Sequence, residues 1–545
     1  MSAPHPFAGR TLAVISDLNR QERLYLYQRA RELKEALQRN DRDVVDQFRI
    51  NDGDFGMYEV FLEDSTRTRE SFKNAAHFHR VKFSEFNAAS SSFNKSESYA
   101  DTFANLIGYQ NRVFVIRSKL EGVCRHLEEQ TRRYRRRHHL PWPVSFINAG
   151  DGRHEHPTQE LLDEFTFLED LKWSPGEIHL ALVGDLYHGR TVHSKVHGLG
   201  LFQSVRVDLV APPELSMPRH YVQEMQDLGF AVREFASIEE YLRHDGEVAQ
   251  QWYFTRPQLE RMGERVLQRQ DELRRAITFD PSQQHRLPAG TTFYHPLPRH
   301  REHPTIPAAL DDTPLNGWER QSANGWVVRI VLLAMLGGKI GDDYSGPVGA
   351  EVAEPRECLE PQPLRSTQGK HYSEGIRPID DGLVIDHICA GDTPEEIRSH
   401  LATLISVMAL HGSGGEWVST GGDSGYKGIL FRPRFAAPSE ATLRKLAAVV
   451  PGATVNVIAH GEVQQKIRLL SPDRIEDLPE LICRNAMCIT HPDNGEQLLP
   501  RFLRRNGVGS GGVGGGGGRG AGSGTREGYY CQYCSTYHTF REIWR

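Results

Sequence analysis

From about residue 8 to residue 340 the chain alternates short apolar runs with helical stretches, which restricts it to layered α/β architectures with largely parallel strands. Met57–Leu62, Arg112–Arg117 and Val144–Asn148 predict strands of a first half, with helices over Gln21–Gln38, Glu97–Ile107 and Thr158–Glu169. A second half begins with the buried-type run Ile178–Asp185, and its later strands are predicted at Val205–Val210, Ala231–Phe235 and Trp252–Thr255. Two open α/β halves facing one another line a shared crevice with their strand-end loops, and small ligands bind in such crevices.

Ser65-Thr66-Arg67-Thr68-Arg69 lies between the first of these strands and a helix beginning near Ser71. A strand-to-helix turn presents unpaired N–H groups and the positive end of the helix to an anion. The hydroxyls add donors, and a guanidinium can grip phosphate with two parallel hydrogen bonds. Alone, the motif reads more readily as a capped helix start with solvated arginines. Five further segments stand at predicted strand ends or in loops: Arg117, His156-Pro157-Thr158-Gln159, Gly189-Arg190-Thr191, Thr255-Arg256-Pro257-Gln258 and His295-Pro296-Leu297-Pro298-Arg299. Together they bring Arg, His and Gln to one crevice, a set suited to a small and strongly anionic pair of substrates.

In these motifs the chain resembles the aspartate/ornithine transcarbamoylases, and specifically the aspartate branch. Ser-Thr-Arg-Thr-Arg and His-Pro-Thr-Gln are shared across that family. Ornithine enzymes typically carry Cys in the His-x-Leu-Pro segment, where residue 296 here is Pro, and Arg256 with Gln258 favours a dicarboxylate acceptor. The resemblance implies a two-domain α/β fold with parallel sheets, a carbamoyl-phosphate-binding domain at 1–160 and an aspartate-binding domain at 161–340, assembled as trimer-based oligomers with shared active sites. It implies that Ser65, Thr66, Arg67 and Thr68 hold the phosphate of carbamoyl phosphate. Arg117 bridges phosphate and carbonyl, and His156 with Thr68 polarises that carbonyl. Gln159 and the carbonyls of Pro296 and Leu297 fix the carbamoyl NH₂. Arg190, Arg256 and Gln258 take the carboxylates of L-aspartate. Ser91 and Lys95 resemble a loop that a neighbouring subunit inserts into the phosphate site, with Asn94 and Ser96 where Lys and Gly are common. The implied reaction needs no catalytic metal or covalent nucleophile. Other readings are a transcarbamoylase for another amino acid, such as ornithine or an acylated derivative, or a silent scaffold for pyrimidine-pathway enzymes.

Residues 341–375 are rich in Gly, Pro and polar residues and predict a linker. A smaller α+β unit follows at 376–471, opening on Gly382–Ile388, with helices over Pro394–Leu410 and Ser439–Val449 and strands including Ile429–Arg432 and Thr454–Ile458. The last unit, 472–545, contains Cys483-x4-Cys488 and Cys531-x2-Cys534, thiol pairs suited to tetrahedral zinc(II). Four thiolates leave no open position, so the predicted zinc is structural in a zinc-binding β domain. Between the pairs, Gly507–Gly524 is a glycine-dominated tract that cannot join a core. From about 376 onward the chain resembles the regulatory chain of aspartate transcarbamoylase, fused here through the linker. The resemblance places Asp386, His387, Lys427 and Lys466 at nucleotide contacts for CTP or ATP. Phe431 replaces an expected lysine, so the unit is either a nucleotide sensor or a brace for the assembly.

Composition narrows the partners. The formal charge of −6 over 545 residues gives no general reason for nucleic acid or an acidic membrane, and no apolar run approaches the roughly 20 residues needed to span a bilayer. The basic run Arg132–His139 is open to two readings, a polyanion patch or a solvated face. The paired cysteines and the lack of a signal-peptide pattern predict a reducing, cytoplasmic location.

Overall fold

The computed structural model describes residues 5–86, 97–258, 268–349, 357–364, 379–390, 392–420, 425–504 and 528–545. Ser91, Lys95 and the tract Gly507–Gly524 lie outside these residues, as does much of the predicted linker.

Four parallel strands form the first sheet, in the order β2-β1-β3-β4: β1 (Gly56–Phe61), β2 (Lys82–Glu85), β3 (Asn111–Ser118) and β4 (Ser145–Asp151). β1, β3 and β4 are largely buried on both faces. The second sheet is also parallel, in the order β7-β6-β5-β8-β9: β5 (Glu177–Val183), β6 (Ser204–Val210), β7 (Ala231–Phe235), β8 (Gln251–Phe254) and β9 (Thr292–Tyr294). The chain passes between sheets through the Pro157–Asp170 helix and returns through the Trp318–Leu336 helix. The return helix packs against the Arg20–Arg39, Arg67–His79 and Pro157–Asp170 helices. The expected second unit, 161–340, therefore lends its last helix to the first half. From Val327 to Leu336 that helix is buried on every side, so this part of its sequence has no polar face to reveal which half it serves.

The third sheet is antiparallel, in the order β10-β15-β14-β11-β13-β12, and is built from β10 (Leu359–Pro361), β11 (Gly382–Ile388), β12 (Gly415–Thr420), β13 (Tyr426–Pro433), β14 (Thr454–Ala459) and β15 (Glu462–Leu469). One feature departs from expectation. Part of the predicted linker, β10, pairs with β15 and covers what would otherwise be a bare sheet edge. The glycine-rich stretch after Gly412 contains a strand, β12, because Gly428 and its neighbours on β13 supply a full ladder. A fourth, antiparallel sheet, β16 (Arg474–Ile475), β17 (Phe502–Arg504), β18 (Gly528–Cys531) and β19 (Tyr537–Thr539), carries the second cysteine pair.

This last unit docks on the first half through backbone. Glu121 N–H donates to Met487 O at 2.8 Å, and Ile489 N–H donates to Glu121 O at 3.0 Å. Arg501 and Tyr533 both reach Glu129, at 2.7 and 3.1 Å. Gly122 has φ +86°, and a Cβ there would lie 2.6 Å from Tyr533 O, so only glycine permits this approach. The basic run closes the Val123–His138 helix, where cations complement the helix dipole. Arg132 and Arg133 pair with Glu128 and Glu129 one turn earlier, at 3.8 and 2.9 Å.

Candidate active site

A cavity of about 870 Å³ opens between the two parallel sheets. The first half contributes Ser65, Thr66, Arg67, Thr68, Arg117, His156 and Gln159 to its wall, and the second half contributes Arg190, Arg256, Gln258, Pro296 and Leu297. The return helix adds Gln321, Trp326 and Arg329.

The local folding explains these positions. β1 ends at Phe61, and the Arg67–His79 helix begins after Thr66, whose side chain makes no capping hydrogen bond. The first-turn N–H groups thus remain available at the cavity wall. His156 precedes the Pro157–Asp170 helix and is anchored by donating its backbone N–H to Ser194 Oγ at 3.1 Å. Arg117, at the end of β3, donates to Ala149 O at 3.0 Å. Gly150, with φ +109°, leaves room for two guanidinium groups: a Cβ there would lie 2.9 Å from Arg117 and 3.3 Å from Arg190. Gln258 is held by its backbone N–H on Asp185 and its amide on His188 O, at 2.9 and 3.1 Å.

Burial and crowded cations set the electrostatics. Burial, reinforced by Arg117, Arg190 and Arg329, holds the His156 imidazole well below its usual pKa, so the ring is neutral. Burial with Arg299, Arg67 and Arg256 depresses His295 to about 3. Burial also lowers Arg67, and brings Arg329 down to about 10. Such a site gains from an anion, whose charge offsets the cations that burial penalises.

Glu63, Asp163, Lys195, Gln321 and Arg329 were not singled out in the sequence. Glu63 contacts Arg190 at 3.2 Å and Arg117 Nε at 3.7 Å, tying the two halves together across the cavity. Asp163 accepts from the amides of Gln159 and Gln321 at 2.8 and 2.6 Å, and its other oxygen lies 2.9 Å from the buried Lys195 Nζ. Gln321 in turn accepts the His295 N–H at 2.8 Å, which sets the His295–Leu297 segment. The position of Asp163 one helical turn after Gln159 was a usable signal. Nothing in the sequence connects Lys195 or Gln321 to that helix.

In the C-terminal third, the sulfurs of Cys483, Cys488, Cys531 and Cys534 lie within 4.8 Å of one another and are buried. The Cys483–Cys534 and Cys488–Cys531 separations are 3.6 and 3.8 Å. Asp386 pairs with Lys427 at 3.0 Å and with its neighbour His387 at 3.3 Å. Strand registers put Val384, Asp386, Asn456, Lys466 and Phe431 on one face of the third sheet.

A family model for the carbamoyl-phosphate-binding domain of aspartate/ornithine carbamoyltransferases matches residues 10–169, and one for the allosteric domain of the aspartate carbamoyltransferase regulatory chain matches 374–470. Protein PyrBI of Treponema denticola is 56% identical over 99% of this chain and 98% of its own length. The protein of the same name from Thermotoga maritima is 47% identical over 99% of both chains. The chain belongs to the fused aspartate carbamoyltransferases, with catalytic and regulatory chains in one polypeptide. Aspartate transcarbamoylase of Trypanosoma cruzi, solved with N-(phosphonacetyl)-L-aspartic acid, superposes with a TM-score of 0.52 at 27% identity, covering 61% of this chain and 96% of that one. The fused carbamoyltransferase is thus a transferase that moves the carbamoyl group of carbamoyl phosphate to the amine of aspartate, releasing phosphate. Among its described residues, no helix is long and apolar enough to cross a membrane.

Proposed function

We propose that the cavity holds carbamoyl phosphate on the Ser65–Thr68 turn and L-aspartate on Arg190, Arg256 and Gln258. The observation that carries this reading is that one cavity is lined by the first turn of the Arg67–His79 helix and by strand ends of the opposite sheet. Residues 1–160 then form the carbamoyl-phosphate-binding domain and 161–340 the aspartate-binding domain, with the return helix bracing the first.

The phosphate lies against first-turn N–H groups and Arg67. The carbonyl oxygen faces Thr68, Arg117 and the neutral His156, which donates rather than accepts. Gln159 gives its NH₂ to Asp163, so its oxygen is left for the carbamoyl NH₂, together with the carbonyls of Pro296 and Leu297. The neutral amine of aspartate attacks the carbamoyl carbon and forms the C–N bond. The electron pair of the carbonyl moves to an oxyanion, which collapses by breaking the C–O bond to phosphate. Phosphate leaves with the bonding pair and takes the amine proton. Fixed donors aimed at the oxyanion and at the departing phosphate lower this barrier, and two clamped carboxylates orient the amine. Arg67→Ala removes about 3 kcal/mol of that stabilisation, roughly a hundred- to thousandfold in turnover. Carbamoyl-aspartate formation at near-normal turnover by this variant would overturn the assignment.

The four cysteines fit zinc(II). Tetrahedral thiolate bonds of roughly 2.3 Å put sulfurs about 3.8 Å apart, and the two measured separations are 3.6 and 3.8 Å. Such an ion is structural, folds the last unit around it, and supports its grip on Glu121. The outer face of the third sheet, with Asp386, His387, Lys427 and Lys466, is the place for CTP or ATP. Phe431 on the same face removes one cation, so binding is weak. Ser91 and Lys95 reach the phosphate of a neighbouring chain in a trimer-based assembly, following the family pattern of shared sites.

A further inference from the structure

The seam between the two C-terminal units holds ligating side chains that neither the transfer reaction nor the four-cysteine cluster uses. β11 ends at Ile388, and Cys389 follows with φ 48°, a left-handed conformation rare for residues other than glycine. Asp392 N–H donates back to Cys389 O at 3.1 Å, and Thr393 caps the Pro394–Val407 helix with a reciprocal bond to Glu396. The reversal sets the turn beside the second turn of that helix, which carries His400. One donor atom each from Cys389, Asp392 and His400 lies within 4.8 Å of the other two, and all three residues are half-buried.

This is the donor set of a borderline ion. Thiolate and imidazole select zinc(II) over magnesium or calcium, which prefer all-oxygen shells. The supporting contacts point the same way. His400 Nδ1 lies 3.1 Å from Glu396 O, and a proton on Nδ1 donated there leaves the Nε2 lone pair for a metal. That back-bond to a carbonyl is the usual support of a ligating histidine. Asp392 Oδ2 is held by Arg541 at 2.7 Å, a residue that also pairs with Glu396 and comes from the cysteine-bearing unit. The carboxylate is thereby oriented from outside.

We propose that Cys389, Asp392 and His400 form a second metal site, separate from the four-cysteine cluster, that takes one zinc(II) ion and leaves a fourth position for water. On binding, the Cys389 S–H bond is replaced by a sulfur–metal bond and the proton goes to solvent. Three protein ligands hold an ion less firmly than four buried thiolates, so the second ion exchanges while the first stays. Since Arg541 shares Asp392 with the site, occupancy acts on the joint between the nucleotide-type unit and the unit that grips the catalytic half.

The test uses the full chain with its four-cysteine cluster loaded with zinc, titrated with cobalt(II) while retained zinc is measured. The expected result is one further equivalent per chain with a sulfur-to-cobalt charge-transfer band. Cys389→Ser abolishes the band, and His400→Gln weakens uptake by more than about tenfold. Both variants keep one zinc and full carbamoyl-aspartate activity, which reports that they are folded. No cobalt bound beyond the one retained zinc per chain, or an unchanged cobalt spectrum in Cys389→Ser, overturns the proposal.

Discussion

Single residues here act through charge placed where water is scarce. Asp163 touches no substrate in our reading, yet both acceptors of the carbamoyl NH₂ are oriented through it, Gln159 directly and the His295–Leu297 segment by way of Gln321. Asp163→Asn cannot satisfy two amide donors and Lys195 together, and it leaves a buried ammonium with Glu160 as its remaining anionic partner among the described residues. We expect kcat to fall more than the KM for aspartate, with a stability loss on the order of 3 kcal/mol; denaturant melts with steady-state kinetics check both, and an equal loss in kcat with unchanged stability would refute it. A second residue-scale effect concerns His154. Burial alone would depress its pKa, but the Asp151 carboxylate at 3.0 Å outweighs burial and raises it to about 10. The charged pair therefore contributes its full stability below the ordinary 6.5 and loses it as pH rises through about 10. Thermal melts across that range should decline in the parent chain and flatten in Asp151→Asn; parallel curves would contradict the pairing.

At the scale of elements, the catalytic half was legible because many of the residues lining its cavity sit at strand ends. A strand followed by Ser-Thr-Arg-Thr-Arg announces a helix N-terminus with free N–H groups, and the Arg67–His79 helix starts there. The parallel strands were readable as apolar runs, as with β5 and β6, since both faces of each are covered. What escaped notice had no local pattern. The Val327–Leu336 part of the return helix is buried on every side, and the helix crosses back to the first half because its partners are there. Part of a polar stretch became the edge strand β10 through pairing with β15, a partner roughly a hundred residues away. Glu63 was in plain view beside the motif, but its contact with Arg190 depends on how the two sheets face one another. The Cys389–His400 turn is the same kind of case, since the spacing of its residues matches no common metal motif.

On the scale of the whole molecule, the four-cysteine unit couples the C-terminal third to the catalytic half. Its contacts with Glu121 are mostly backbone, so they depend on the unit's fold rather than on particular side chains. Zinc removal by a strong chelator should therefore release this unit, seen as a more open particle in small-angle scattering and as rapid proteolysis after Ser471. An unchanged particle after verified metal loss would break the link between metal and docking. None of the four cysteines lines the catalytic cavity, and basal activity should persist after chelation. The central claim remains the ring of cations and hydroxyls around carbamoyl phosphate, and a crystal structure of the full chain with carbamoyl phosphate tests it most directly. The account predicts phosphate oxygens within hydrogen-bonding distance of Arg67 and the Ser65–Thr68 turn, and the carbonyl oxygen facing Arg117 and His156. A ligand bound elsewhere, or one that leaves Arg67 and His156 untouched, would contradict it.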